Sequence, residues 1–374
     1  MGHTPLDGAG SFADVAVHRR AAYVGTRDEA SCPPRGVKVV DLTDPRRPNP
    51  IGTVAAYPLT LTEDVAVTPL ATRSFRGDLL AVSLQACDEV LDDPVGKSGV
   101  EFVDVSDPRR PVVLSRLDLG VPHLAGVHEL WVFQRGAHAY ALLAVPFSEL
   151  VTGVFTPQRV RGDVWIADIT DPRAPRVLSD WAAGRDAGLA FGAPFVRQVF
   201  GLGAPFDCTP PPGAGPLCRG EDFPAVFGHS VSANPDGTRA YVSYWDAGMV
   251  VLDITDPTRP RLLGRGAPGL DEEGNTHSAV PARGNRLAVT TDEDQFPGPW
   301  GFTRIWDVVD PTRPIEVGRF ATANALSARS DGDYSVHKPA VRGNRLYLSH
   351  YSDGLRVVDI SRPASPRELA AFVP

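Results

Sequence analysis

One phrase returns along this chain with little change, and it limits the fold more than any other feature. It reads VKVVDLTDPRRP from Val37, VEFVDVSDPRRP from Val100 and VWIADITDPRAP from Val164. It returns as MVVLDITDPTRP from Met249, TRIWDVVDPTRP from Thr303 and LRVVDISRPASP from Leu355. Each copy is a β-rich run ending in an acid, then a turn with proline, then a second apolar run such as RLLGRG or IEVGRF. Proline fixes φ and lacks an N–H, so the strand must stop there. An Asp or Ser just ahead of it can bond local backbone and set the turn.

Two more strand-like runs precede each copy. In the last repeat they are HKPAV and RLYLSH, joined by RGN, so the unit reads as four antiparallel strands, a to d. Six such units predict an all-β chain folded as a single β-propeller of six four-stranded blades over 1–374. Blades stacked around an axis bury both faces of every sheet. The blades start near Asp14, Asp64, His128, His229, His277 and His337. The 36 Gly and 36 Pro exceed average usage and agree with many short strands and turns.

The pattern VVDITDPxxP, written VLDITDPTRP over 251–260, resembles the LVIVD-repeat proteins of bacteria and archaea. The resemblance covers nearly the whole chain and implies a propeller, often at a cell surface, while implying little about activity. The last copy departs from the others by carrying Arg362 in place of Asp. Residues 179–227 break the pattern: they are rich in Gly and Pro, contain CTPPPGAGPLC and lack DPxxP. They read as a long loop insertion between blades 3 and 4, with a degenerate seventh blade as the alternative.

Composition excludes several classes. Hydrophobic residues make up 43% against 22% charged, enough for a sizeable core. The net charge of -8 is interspersed, with no basic stripe for nucleic acid or an anionic membrane. No apolar run reaches the roughly eighteen residues of a membrane span. The first residues lack the apolar core of a secretory signal, which fits either a cytoplasmic protein or a chain read from after a cleaved leader.

In a propeller, strand a lines the axis and successive strands alternate direction. The start of a and the end of b therefore share one face, and the DPxxP turns lie on the other. The long b–c loops, including QACDEVLDDPVGKSG and VPFSELVTGVFTPQRVRGD, fall on the first face, where function in rigid scaffolds sits. Acids also gather there at the ends of b: Asp28, Asp88, Asp246, Asp292 and Asp353, with Glu149 less cleanly aligned.

At the start of strand a, blades 3 to 6 supply His128, His229, His277 and His337, while blades 1 and 2 supply Asp14 and Asp64. Imidazoles converging on an axis suit a divalent transition metal, with iron or copper favoured and zinc possible. Ligating histidines normally give their other ring nitrogen to a carboxylate or carbonyl, for which Glu63, Glu129 and the b-end acids are candidates. A single histidine at such a place is usually structural; four in register are harder to explain that way. His350, at the end of b in the last blade, is a further catalytic candidate beside Asp14 and Asp64. His18 and His138 fall near a–b turns and read as solvated, His123 lies in a connection, and His3 is in a frayed terminus.

Tyr244, Trp245, Trp300 and Phe302 can wall an apolar pocket, although aromatics more often pack loops together. Of the four cysteines, Cys32 and Cys87 fall on the same face of adjacent blades, so a disulfide between them fits, and Cys208 with Cys218 can pin the insertion. Two disulfides favour an oxidising compartment, hence a secreted or cell-surface protein rather than a cytoplasmic one.

The expected function is a metal-dependent oxidoreductase or oxygenase acting, as a monomer, on a small molecule in the axial channel. The site is similar in geometry alone to carotenoid-cleaving oxygenases, whose iron sits on four axial histidines, and to selenium-binding-type thiol oxidases; no motif of either family is present. Two alternatives stand beside it. One is a non-catalytic propeller that binds a glycan or protein. The other is a hydrolase or lyase using the axial His and Asp, with a metal-bound hydroxide or without metal.

Overall fold

The computed structural model of the protein describes residues 2–6, 11–28, 32–87, 96–120, 126–189, 226–269, 272, 274–294, 299–327 and 329–373. Asp88, His123, Cys208, Cys218 and most of the 179–227 insertion lie outside them. No described helix is long and apolar enough to cross a membrane.

The repeated phrase acts through its own backbone. In all six copies the acid that ends strand c accepts the N–H two residues on, at 2.8–2.9 Å: Asp41, Asp104, Asp168, Asp253, Asp307 and Asp359. In five copies the second acid does the same at 3.0–3.2 Å. The turn then closes between backbone groups, as in Arg259 N–H to Asp256 C=O at 3.0 Å. Arg362 loses the side-chain cap, but the backbone bond from Ser365 to its carbonyl persists at 2.9 Å. The departure in the last copy is therefore tolerated because the proline turn survives on main-chain bonds alone.

These turns divide the chain into six antiparallel blades, and the fold is a β-propeller. The second sheet also holds a short fifth strand, Thr60–Leu61. Two compact units, Met1–Asp180 and Trp181–Pro374, carry the blades. In the first unit the innermost strands are Phe12–His18, Val65–Ala71 and Glu129–Arg135. In the second they are Gly228–Ala233, Thr276–Ala282 and Val336–Arg342, each beginning within two residues of the expected histidine.

Neighbouring blades interlock through alternate apolar residues. Leu79, Phe102, Leu143 and Trp165 join the second and third blades, and Val39, Leu80 and Val103 the first and second. In the second unit Tyr241, Val251, Trp306 and Val308 join blades 4 and 5, while Val289, Ile305, Leu348 and Val358 join blades 5 and 6. Truncating any fully buried leucine among these to alanine costs about 2–5 kcal/mol.

The expected boundaries shift in two places. Residues 179–181 complete the outer strand Arg176–Trp181, and a short helix, Ala183–Ala187, follows. The b–c loop of blade 3 folds into the helix Ser148–Phe155, whose Glu149 N–H is held by Asp163 at 2.9 Å. Cys32 and Cys87 form a disulfide, a pairing that their places on adjacent blades allow.

Candidate metal centre

Each innermost strand of the second unit begins with a break in register. Gly228 pairs with Tyr244 and Ser230 with Ser243, so His229 is an extra residue with no partner of its own across the ladder. His277 is inserted likewise between Thr276 and Ser278. His337, with Lys338, lies between the paired Val336 and Pro339. A β-bulge re-aims the extra side chain. Three consecutive blades thus turn an imidazole out of the ordinary alternation at the same point.

The rings meet. His229 and His277 have centroids 4.2 Å apart, and His277 and His337 3.9 Å apart. His277 is 1% exposed and His229 is also buried, while His337 is half-buried. One nitrogen of each of the first two rings faces a fixed polar group: His229 Nδ1 lies 3.1 Å from the His277 carbonyl, and His277 Nδ1 2.8 Å from Ser278 Oγ. A proton on His229 Nδ1, donated to that carbonyl, leaves the lone pair on Nε2, the tautomer that ligates a metal.

A carboxylate completes the group. Glu293 Oε2 is 3.9 Å from His277 Nε2. His277, Glu293 and His337 offer three ligand atoms that all lie within 4.8 Å of one another. The Tyr351 hydroxyl donates to the other oxygen of Glu293, and its ring lies 5.4 Å from that of His337. At the opposite end, Trp245 packs 5.0 Å from His229 and stacks on Phe227.

Hydroxyls on strand b hold the histidine backbones. Ser243 donates to the His277 carbonyl at 2.6 Å, and Thr291 to the His337 carbonyl at 2.6 Å. Ser243 also accepts the N–H of Ser230, next to His229. One blade thereby sets the bulge of the next.

The remaining candidates have other partners. In the first unit His128 is buried, its Nδ1 3.1 Å from Glu63 Oε2 and 3.3 Å from Gln85 Oε1. Arg27 holds the other Glu63 oxygen at 2.7 Å. Burial opposes charge on both groups, yet each outweighs it for the other: Glu63 is held well below the usual carboxylate range and His128 is raised. Glu63 thus takes the place expected for a carboxylate behind His128. Asp64 is buried and accepts the Leu130 N–H at 2.6 Å, a backbone-capping role. Asp14 is half-buried, with its N–H on the Glu63 carbonyl at 3.1 Å. His350 is buried opposite Val336, with its ring edge-on to Phe320 at 6.4 Å.

The b-end acids brace loops and linkers. Asp246 accepts the Asn275 N–H, two residues before His277, at 3.2 Å. Asp28 holds Arg35, and Asp353 holds Asn324 and Arg356. Asp292 is buried at 2.6 Å from Arg304, which also reaches Glu272 and Glu316. Of these four aromatics, only Trp245 has a described ring contact with a clustered histidine. Tyr244 is buried against Trp181, Trp300 packs on Tyr334, and Phe302 lies under Arg304 and Arg319.

Sequence comparison agrees with the repeat seen here. Residues 236–266 and 336–372 match the model of the LVIVD repeat. These two segments each carry an LVIVD repeat. A comparison with curated protein sequences gives no significant match. Among solved structures, this propeller is similar to a hypothetical selenium-binding protein from Sulfolobus tokodaii, with 14% identity and a TM-score of 0.51. That match covers 82% of this chain and spans only 64% of the other. A proposed 6-phosphogluconolactonase from Bacteroides uniformis is similar at 7% identity and a TM-score of 0.55, over 95% of this chain and 82% of that one. Likeness at such identities extends to the fold alone.

Proposed function

We propose that this LVIVD-repeat propeller is a metal-dependent oxidoreductase, its ion held by His277, His337 and Glu293, with His229 as an additional imidazole donor. The carrying observation is that three bulge-borne imidazoles meet ring to ring and two of them, His277 and His337, share one carboxylate, Glu293. Two histidines and a carboxylate with open positions are the donor set of non-haem iron oxygenases, and an imidazole-rich site also suits copper. The reading rests on the second unit; His128, Asp14 and Asp64 are not needed for it. The match to a selenium-binding protein is consistent with the fold and does not choose the chemistry.

Bound iron or copper would supply one-electron and O₂ chemistry to a small-molecule substrate. The protein's own residues do the rest. Ser243 and Thr291 fix the imidazoles through their backbones, and Tyr351 orients Glu293 through its outer oxygen. Trp245 and Phe227 give one side of the cluster an apolar wall that excludes water. The Cys32–Cys87 disulfide supports an oxidising, exported setting.

The test is reconstitution of metal-free protein with Fe(II), Cu(II) or Zn(II), followed by O₂ uptake with ascorbate as reductant. Uptake above that of the free ion, lost in His277→Ala, is expected with iron or copper. Uptake no greater than the free ion's, or unchanged in His277→Ala, contradicts the redox reading. Tight binding of zinc alone would move the site to hydrolysis.

A further inference from the structure

The last blade carries a second polar cavity at the other end of its innermost strand. Arg342 and Arg345 face each other directly across the a–b hairpin. Arg345 is opposite Asp359, and Asp359 is opposite Arg367 on the outer strand. Three guanidinium groups and one carboxylate therefore form a single row across all four strands. Asp359 is already engaged by the Ser361 N–H at 2.8 Å. Asp359 is held below the usual carboxylate range first by the Ser361 bonds and then by the charges of Arg367 and Arg345, yet among the described residues none of the three arginines comes within ion-pair distance of a carboxylate. Like charges directly opposite each other in a sheet are destabilising.

The equivalent rows in the same unit differ. Blade 5 has Ala282, Leu287, Asp307 and Ile315 in these places. Blade 4 has Arg239, Asp253 and Arg261, but its Arg239 donates to the Val308 carbonyl of the next blade. In blade 6 the row instead borders a cavity of about 730 Å³, shared with Asn344, Tyr347 and Leu369. That is the size of a small-molecule site. A local excess of two positive charges on a chain of net charge -8 marks the cavity's ligand as an anion.

We propose that this cleft binds a small oxyanion-bearing molecule, phosphoryl or carboxylate, gripped by Arg342, Arg345 and Arg367. Arginine presents a planar fork that matches such groups in two parallel bonds. Asn344 and the Tyr347 hydroxyl can add neutral bonds, and Leu369 offers an apolar edge for the remainder of the ligand. Five residues of extended strand separate Arg342 from His337, on the order of 17 Å, so the cleft is distinct from the metal centre.

Calorimetric titration with pyrophosphate, and separately with citrate, at ionic strength matched with sodium chloride tests this. Saturable binding is expected for at least one probe, and which one binds separates phosphoryl from carboxylate. Arg345→Gln and Arg367→Gln should each weaken it about tenfold. His277→Ala should leave it unchanged, which excludes chelation at the metal centre. Without anion, Arg342→Gln should melt at the wild-type temperature or higher, because Arg342 faces only Arg345 across the hairpin and a repulsive pair is relieved. Absence of saturation with both probes, wild-type affinity in both arginine variants, or loss of binding in His277→Ala would each overturn the proposal. A lowered melting temperature of unliganded Arg342→Gln would assign the row to structure and overturn it too.

Discussion

His350 allows the sharpest prediction about stability, because it is a titratable ring held in the core. It is 3% exposed, and no side chain among the described residues hydrogen-bonds either ring nitrogen. Burial disfavours the charged imidazolium and pushes the group down from 6.5 to about 4, although the Tyr334 backbone and then Asp353 pull the other way. The sign follows from which state binds the proton first. Above pH 6.5 the ring is neutral in both states and carries no penalty. Between 6.5 and about 4 the unfolded chain protonates while the folded one resists, so stability falls with falling pH. At 1.36 kcal/mol per pH unit, the full effect is about 3 kcal/mol. His350→Leu keeps the volume and removes the proton site. Urea unfolding of both proteins at pH 7.5 and 4.5 measures the difference, in which all other titrating groups cancel. The wild type should lose roughly 2.5 kcal/mol more than the variant between these pH values. Parallel losses would refute the reasoning, since they would mean that the ring gains its proton in the fold as readily as in the unfolded chain.

Other outcomes follow from single contacts. Thr291→Val removes the bond to the His337 carbonyl and should lower metal affinity about tenfold in a competitive chelator titration, since partners behind a ligand typically matter by that much. Arg304→Met leaves Asp292 buried without its cation and should cost about 3–5 kcal/mol in chemical denaturation. Cys32 and Cys87 are 55 residues apart, so replacing both with serine should destabilise the fold by about 4 kcal/mol if chain entropy dominates, read as a lowered denaturation midpoint.

What could be read from the sequence was whatever the backbone encodes locally. The turn after strand c is made by an Asp, a proline and their own amides, so the motif specifies it without knowledge of neighbours, and six copies specify six blades. The histidines were legible for the same reason: they recur at one point of a period. Glu293, the carboxylate beside His277 and His337, was not. Asp292 ends the strand and Glu293 follows it, and adjacent residues point to opposite sides. The b-end alignment selected Asp292, which pairs with Arg304, whereas Glu293 reaches His277. Ser243 and Thr291 escaped notice because their partners lie on the following blade, far away in sequence. The same holds for His18, expected in solvent but set 3.1 Å from the buried Asp78 of the next blade. Long-range pairings of this kind depend on how blades pack, and packing has no short sequence signature.

Metal content decides the central proposal. Purified wild-type protein, reconstituted with iron or copper and desalted, should retain about one ion per chain by elemental analysis. His277→Ala and His337→Ala, melting cooperatively, should retain almost none, and Glu293→Gln should retain less than the wild type. An ion-free wild type, or an ion held equally well by both histidine variants, would contradict the account and leave the clustered imidazoles as packing alone.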